Sequence, residues 1–135
     1  NKGDNMTIFK PISEKDAEGK VKKIYEEIKE VRKITEIPNF WKTLANQPDN
    51  LERTWNSLQQ VMKKGALDPI TKELIYVAVS ITNSCEYCIK SHSLAAKKKG
   101  ASDEMLKEMI DVVGIANQNN KLVEGYQVKV DDLLK

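Results

Sequence analysis

Hydrophobic residues recur every three or four positions along most of the chain, with charged residues between them. This spacing predicts amphipathic α-helices. Ser13 is the predicted N-cap of the first helix, with Glu14 and Asp16 in its first turn. The apolar face of this helix comprises Val21, Ile24, Tyr25, Ile28 and Val31.

Two further helices are predicted before residue 66. The sequence Ile37-Pro38-Asn39-Phe40 ends the first helix, because a residue that precedes proline avoids helical backbone angles. A short helix over 40–46 follows and runs to Gln47-Pro48. The next helix ends at Lys64-Gly65, where glycine occupies its usual position after a helix. Its apolar face comprises Leu51, Trp55, Leu58 and Met62.

The segment 68–84 has features of both a strand and a helix. β-Branched residues alternate along it, namely Ile75, Val77, Val79 and Ile81. Such alternation is typical of a strand. Apolar residues also keep helical spacing, and the start of the segment favours the helix, because Asp68 can act as a cap and Pro69 suits the first helical position. We therefore predict a central helix, and a buried one because it is apolar almost all round.

The sequence pattern predicts two or three helices in the last third of the chain. One runs over 86–99 and stops at Gly100, and Ser102 caps the next. The polar stretch 117–120 is expected to bend or interrupt the chain before a final helix. The predicted inner face of the helix after Ser102 comprises Leu106, Met109, Ile110 and Val113. The predicted apolar face of the final helix comprises Leu122, Val123, Tyr126, Val130 and Leu133.

Together these elements predict an all-α fold of six to seven helices. A chain of 135 residues fits one domain. We place that domain at 12–135, after an N-terminal extension at 1–11, and leave 1–5 out of the fold because Met6 is interpreted as the natural start. Apolar stripes on the first and last helices predict a homo-oligomer, although packing within a monomer also explains them.

Charge and hydropathy exclude several classes of partner. The net charge is +2, from 22 basic and 20 acidic residues, so we expect no nucleic-acid partner. The basic run Lys97-Lys98-Lys99 is interpreted as solvated residues near a helix C-terminus. The apolar run 74–79 is far too short to cross a bilayer, and the first residues lack the apolar core of a signal peptide. We therefore expect no membrane partner and a cytoplasmic location.

The candidate chemistry is concentrated in residues 85–92, CEYCIKSH, which contain both cysteines and the only histidine. Cys85 and Cys88 are one turn apart at the start of a predicted helix, where the helix dipole and free N–H groups stabilise a thiolate. That spacing also permits a disulfide after modest adjustment of the backbone. His92 follows Cys88 by four residues and can act as a proton acceptor or relay. Alternatively, His92 is an ordinary surface or hydrogen-bonded polar residue.

Glu73 is a further candidate, in the apolar helix twelve residues before Cys85. A buried carboxylate there is expected to have a raised pKa and to serve as a general base. The alternative is an exposed residue in the first turn, where the helix dipole favours negative charge. Periodicity alone does not choose between the two positions.

A redox-active cysteine pair is the interpretation that these residues favour. A c-type haem site needs histidine directly after the second cysteine, where Ile89 stands, and a thioredoxin fold needs strands. A structural zinc site needs four ligands, and Glu73 is the only obvious fourth beside Cys85, Cys88 and His92. Zinc and inert core cysteines remain weaker alternatives.

The spacing of Glu73, Cys85-Glu86-Tyr87-Cys88 and His92 resembles the signature of the AhpD-like alkylhydroperoxidases, in the carboxymuconolactone decarboxylase superfamily. The surrounding sequence LDPITKELIYVAVSITNSCEYCIKSHSLAAKKKGAS resembles the core of that family. The segment Ile37-Pro38-Asn39-Phe40 is similar to the peroxidase-related branch. The resemblance extends from about Ile12 to Val123.

The resemblance implies thiol-dependent reduction of hydroperoxides, in antioxidant defence, by a small all-α protein without haem, metal or another cofactor. Cys88 would be the peroxidatic cysteine and Cys85 the resolving one, with Glu73 and His92 as the proton relay. An external dithiol, lipoyl-bearing or thioredoxin-like, would reduce the disulfide. Family members form dimers, trimers or hexamers. Tyr87 departs from the pattern, since some members have histidine there.

Two other functions compete with the peroxidase hypothesis. A thiol–disulfide exchange or redox-sensing protein needs the same cysteine pair but reacts little with peroxide. A metal-binding or structural oligomerisation module needs neither reaction. Rapid peroxide turnover would exclude the exchange or redox-sensing protein. Bound zinc would favour the metal-binding or structural module.

Overall fold

The computed structural model describes residues 8–135, which contain no β-strand. The all-α prediction is confirmed. The predicted start at Met6 and residues 1–5 lie outside the described residues. The six α-helices of the described chain are α1 (Gly19–Arg32), α2 (Asn39–Leu44), α3 (Pro48–Met62), α4 (Pro69–Thr82), α5 (Glu86–Lys98) and α6 (Asp103–Gly125), and a short 3-10 helix follows at Asp132–Leu134.

The start of α1 corrects a prediction. Ser13 does not cap the helix; its Oγ accepts a hydrogen bond of 3.2 Å from the backbone N–H of Asp16, within a separate turn. The helix begins at Gly19, which has φ +50°. This left-handed conformation suits glycine and interrupts a right-handed helix, so the turn at Ser13 cannot continue into α1.

The chain divides into two compact units, Asn1–Val61 and Met62–Lys135. In the first unit, α1, α2 and α3 share a common core, which confirms the predicted apolar faces of α1 and α3 except at Val31, which is 53% exposed. The Trp41 and Trp55 rings meet edge to face, with 5.4 Å between their centroids. The Arg32 guanidinium lies 5.5 Å from the centroid of the Trp41 ring and 5.3 Å from that of the Trp55 ring. The placement of one domain over 12–135 stays a prediction.

Tyr25 links the segment before α1 to this core through a hydrogen bond of its hydroxyl group. The side chain is buried, and the O–H donates a hydrogen bond of 2.8 Å to the carbonyl of Ile12. Burial, with the nearby charge of Glu14, raises the pKa of Tyr25 to about 12.

We expect Tyr25→Phe to lower the free energy of unfolding by about 1 kcal/mol, because the Ile12 carbonyl loses its donor. Urea unfolding followed by circular dichroism measures the change. Tyr126→Phe is the matched control, since Tyr126 is 80% exposed and should tolerate the change. Equal stability of Tyr25→Phe and wild type would contradict a stabilising role for this hydrogen bond.

In the second unit, α4 packs against α5 and α6. The N-cap of α4 confirms the helix prediction for this segment, because the Asp68 carboxylate accepts a hydrogen bond of 2.9 Å from the Thr71 backbone and Pro69 is the first helical residue. The expectation that α4 is buried all round is wrong for the single chain. α5 and α6 cover one side, and Ile75 and Val79 on another side are about half exposed.

The helix α6 continues through 117–120, so the predicted bend and the separate final helix are both wrong. The side-chain amide of Asn117 donates to the Val113 carbonyl at 2.8 Å and to the Thr82 hydroxyl of α4 at 3.0 Å. Asparagine breaks a helix when its side chain competes for backbone groups, and here the amide is satisfied without such a break. The predicted inner face is correct at Val113 but wrong at Ile110, which is 52% exposed.

None of the helices in 8–135 combines the length and the apolar character that crossing a bilayer requires.

Candidate functional site

The connection between α4 and α5 places the cysteine pair. Ser84 adopts φ +57°, which turns the chain sharply after α4. The next residue, Cys85, donates its backbone N–H to the carbonyl of Ser80 at 2.9 Å. The hydroxyl of Ser80 donates in turn to the Tyr76 carbonyl one turn earlier in α4. Cys85 is thereby fixed as the N-cap of α5, directly beside the end of α4.

Cys85 and Cys88 form a disulfide, with 5.3 Å between their Cα atoms. This separation lies within the range that a disulfide requires. The backbone N–H of Cys88 donates to Cys85 Sγ at 3.3 Å, and both residues are half-buried. The predicted proximity of the two cysteines is confirmed. Their place in the first turn of α5 puts free N–H groups beside the sulfur atoms, which favours a thiolate after reduction.

Glu73 is buried on the face of α4 that packs against α5, with 3% of its surface exposed. Its two carboxylate oxygens have different partners. Oε2 lies 2.7 Å from His92 Nδ1, and Oε1 accepts a hydrogen bond of 2.6 Å from Lys99 Nζ. The buried position is therefore the correct one of the two that periodicity left open.

The charge state of Glu73 differs from the expectation. Burial alone raises the pKa of Glu73, but the hydrogen bonds and charges of His92 and Lys99 outweigh burial and hold the pKa below its ordinary value. The prediction of a raised pKa is wrong, because it omitted two partners that only the fold brings to the carboxylate. At neutral pH Glu73 is thus an anion that accepts hydrogen bonds and orients His92.

The His92 imidazole is held on two sides. Nδ1 faces Glu73, and the ring stacks on Tyr76 of α4, with 3.6 Å between ring centroids and 22° between planes. Only 12% of the His92 side chain is exposed. Nδ1 is the nitrogen that contacts Glu73, and Nε2 has no part in that contact. Cys88 precedes His92 by one helical turn on the same face of α5.

Sequence reasoning missed two members of this cluster, Tyr76 and Lys99. Tyr76 is three residues after Glu73, so helical periodicity places both on one face of α4. Lys99 is seven residues after His92, which again is one face of a helix. The interpretation of Lys99 as a solvated residue near a helix C-terminus is correct for its position, since it is exposed at the C-cap of α5, but it missed the pairing of the ammonium group with a buried carboxylate. Its neighbour Lys97 does pair at the surface, with Asp103 at 2.9 Å.

Tyr87, between the two cysteines, is 45% exposed. It belongs to the first turn of α5, in which Glu86 forms an exposed ion pair with Lys90. Over the described range 8–135, no group of three or more histidine, cysteine or acidic side chains is arranged to hold a metal ion.

The family model described as the carboxymuconolactone decarboxylase family matches residues 48–128, more than half of the chain. The chain belongs to this family. The AhpD-like assignment within it is confirmed by the crystal structure of the alkylhydroperoxidase AhpD core from Rhodospirillum rubrum. That structure matches the chain with a TM-score of 0.90 and 39% identity, covering 96% of this chain and 97% of the other.

Two curated relatives match shorter stretches. The alkyl hydroperoxide reductase AhpD of Solibacter usitatus is 40% identical over 74 residues, which are 55% of this chain and 40% of the relative. Uncharacterized protein 4 in the cox locus of Paracoccus denitrificans is 44% identical over 50 residues, which are 37% of this chain and 45% of the relative. The chain thus spans less than half the length of these two curated relatives.

Proposed function

We propose that this family member is an enzyme that reduces organic hydroperoxides with its Cys85–Cys88 pair. The observation that carries the proposal is the buried pair of Glu73 and His92, with 2.7 Å between Oε2 and Nδ1, in which His92 lies one helical turn after Cys88 of the disulfide. A structural disulfide needs no proton relay beside it. The alkylhydroperoxidase named among the similar structures supports the same reaction class.

The reaction consumes one hydroperoxide and two thiols. The Cys88 thiol passes its proton to His92 Nε2, and the thiolate attacks the terminal peroxide oxygen, so that the O–O bond breaks. His92 returns the proton to the leaving alkoxide, which gives an alcohol and a sulfenic acid on Cys88. The Cys85 thiol then attacks the Cys88 sulfur and displaces water, and the disulfide forms. Glu73 keeps the ring oriented and stabilises the imidazolium.

The catalytic cycle closes when an external dithiol reduces the disulfide. Both cysteines are half-buried rather than enclosed, and Tyr87 beside them is exposed, so a protein-borne dithiol such as a lipoyl group or a thioredoxin-like domain can reach them. The exposed apolar side chains of α4 and α6, such as Val79 and Ile115, support a homo-oligomer. Antioxidant defence in the cytoplasm belongs to the same proposal.

The proposal is tested by counting thiols in fully reduced protein treated with cumene hydroperoxide. The chain has two cysteines, so each peroxide consumed should remove both thiols and yield one alcohol. Unchanged thiol content after the peroxide has been added in excess would contradict the proposal. Mass spectrometry of the product checks that the oxidised form is the Cys85–Cys88 disulfide.

The second candidate function is thiol–disulfide exchange or redox sensing. The accessible disulfide favours it, because exchange with another protein needs only an exposed sulfur and a suitable potential. It differs from the first function in one measurable respect. Exchange with a dithiol would be rapid while oxidation by cumene hydroperoxide would be no faster than that of a free thiol.

A further inference from the structure

We propose that Lys99 is a positioning residue of this site. Its ammonium group compensates the Glu73 charge, so that the Glu73–His92 pair keeps its one proton on Nδ1 and leaves His92 Nε2 free to accept another. The consequence for catalysis rests on the proposed peroxidase function, whereas the effect on the protonation of His92 does not.

The end of α5 brings Lys99 to Glu73. Lys99 is the C-cap of the helix, and its backbone N–H donates to the Ala95 and Ala96 carbonyls at 3.1 Å. The chain leaves at Gly100, which has φ +108°. From this position the Lys99 side chain, which is 37% exposed, reaches the buried Glu73 carboxylate, with 2.6 Å between Nζ and Oε1. The partly exposed side chain of Lys99 thus places a positive charge beside the buried Glu73 carboxylate.

The two partners of Glu73 are not equivalent. His92 can accept a proton from a thiol only while its ring is neutral, and a neutral ring offers Glu73 a hydrogen bond but no charge. In that state Lys99 is the cation that compensates the buried carboxylate. The charges of His92 and Lys99, both on the α5 side, act on Glu73. The ring also stacks on Tyr76 of α4, and Cys88 precedes it by one turn of α5.

Removing the Lys99 charge should make the pair bind a second proton more tightly. The first proton of the pair can lie on Nδ1 or on Glu73. In both arrangements the second proton occupies Nε2, which then can no longer accept a proton from a thiol. A neighbouring cation at this distance shifts the titration of a carboxylate by about 1 pH unit or more. The pH at which Nε2 becomes protonated should therefore rise by about 1 unit in Lys99→Met.

The test uses ¹⁵N NMR of reduced protein without a histidine tag. His92 is the only histidine, so its two ring nitrogens give the only imidazole signals of the chain. The midpoint of Nε2 protonation is measured in wild type, Lys99→Met, Lys99→Gln and Lys99→Arg. We expect it to rise in the first two variants and to stay near the wild-type value in Lys99→Arg, which keeps the charge.

Lys97→Met is the matched control, because Lys97 pairs with the exposed Asp103 and carries the same charge two residues away. Its midpoint should equal that of wild type. An unchanged midpoint in a folded Lys99→Met or Lys99→Gln protein would overturn the proposal, and so would an equal shift in Lys97→Met. Lys99→Gln keeps a polar side chain in place, so the test does not depend on Lys99→Met being stable.

The same variants connect the NMR result to the reaction. If the protein reduces cumene hydroperoxide, the acid limb of its pH–rate profile should move to higher pH in Lys99→Met, by the shift that NMR measures. In Lys99→Arg the acid limb should lie at the wild-type pH. If wild type does not react with the peroxide, the peroxidase proposal fails, while the NMR midpoints still decide the role of Lys99.

Discussion

Replacing Cys88 with serine is expected to slow the oxidation of the protein by cumene hydroperoxide by at least about 100-fold. The remaining thiol, that of Cys85, does not lie one turn before His92 and therefore loses general acid–base catalysis by the imidazole. Such catalysis contributes about 10²–10⁴ in rate. Stopped-flow mixing of reduced protein with peroxide, followed by thiol titration, measures the rate. No disulfide can form within the variant chain, since it holds one cysteine.

Cys85→Ser is the matched control for Cys88→Ser, because each variant keeps one thiol of the pair. We expect Cys85→Ser to react with peroxide at nearly the wild-type rate and to stop at a sulfenic acid on Cys88, which dimedone traps. Rapid oxidation of Cys88→Ser together with an inert Cys85→Ser would reverse the two roles. Equal slow oxidation of both variants would contradict a peroxidatic cysteine at either position.

Replacing Glu73 with glutamine should produce the second-largest effect, a fall of about 100-fold in the rate of thiol oxidation. Glutamine has nearly the shape of glutamate but no charge, so it cannot stabilise an imidazolium at His92. The variant should also lose about 1–3 kcal/mol of unfolding free energy, because His92 Nδ1 loses a charged acceptor and only 12% of the His92 side chain is exposed to water. The same stopped-flow assay and urea unfolding measure both changes.

The pH dependence of this stability loss has a definite sign. The pKa of Glu73 in the folded protein lies below the ordinary value of 4.5, so the carboxylate contributes stability above that pH and loses the contribution as the pH falls further. The stability difference between wild type and Glu73→Gln should therefore be largest near neutral pH and shrink below pH 4.5.

Glu52→Gln is the control, because Glu52 pairs with Lys20 at the surface, with 40% of its side chain exposed. We expect a change within about 0.5 kcal/mol and an unaltered oxidation rate. If Glu73→Gln kept the wild-type rate and stability, the carboxylate would have no part in orienting His92.

Part of this site could be predicted from the sequence because it depends on neighbours along the chain. Asp68 and Pro69 determine where α4 begins, through a cap and a fixed backbone angle. The three-residue spacing of Cys85 and Cys88 at the start of α5 determines that their sulfur atoms meet. The failure at Ser13 is also local in origin, since it follows from the left-handed conformation of Gly19. The failure at 117–120 involves a tertiary contact, because the Asn117 amide donates to the Thr82 hydroxyl of α4, 35 residues earlier.

Most of the helices, the family resemblance and the cysteine pair could be predicted because caps, periodicity and short spacings act over a few residues. The partners of Glu73 could not, because they depend on tertiary contacts. Glu73 meets His92 across 19 positions of sequence and Lys99 across 26. These contacts exist because α4 and α5 pack face to face, and they set the charge of a buried carboxylate by its partners rather than by its burial.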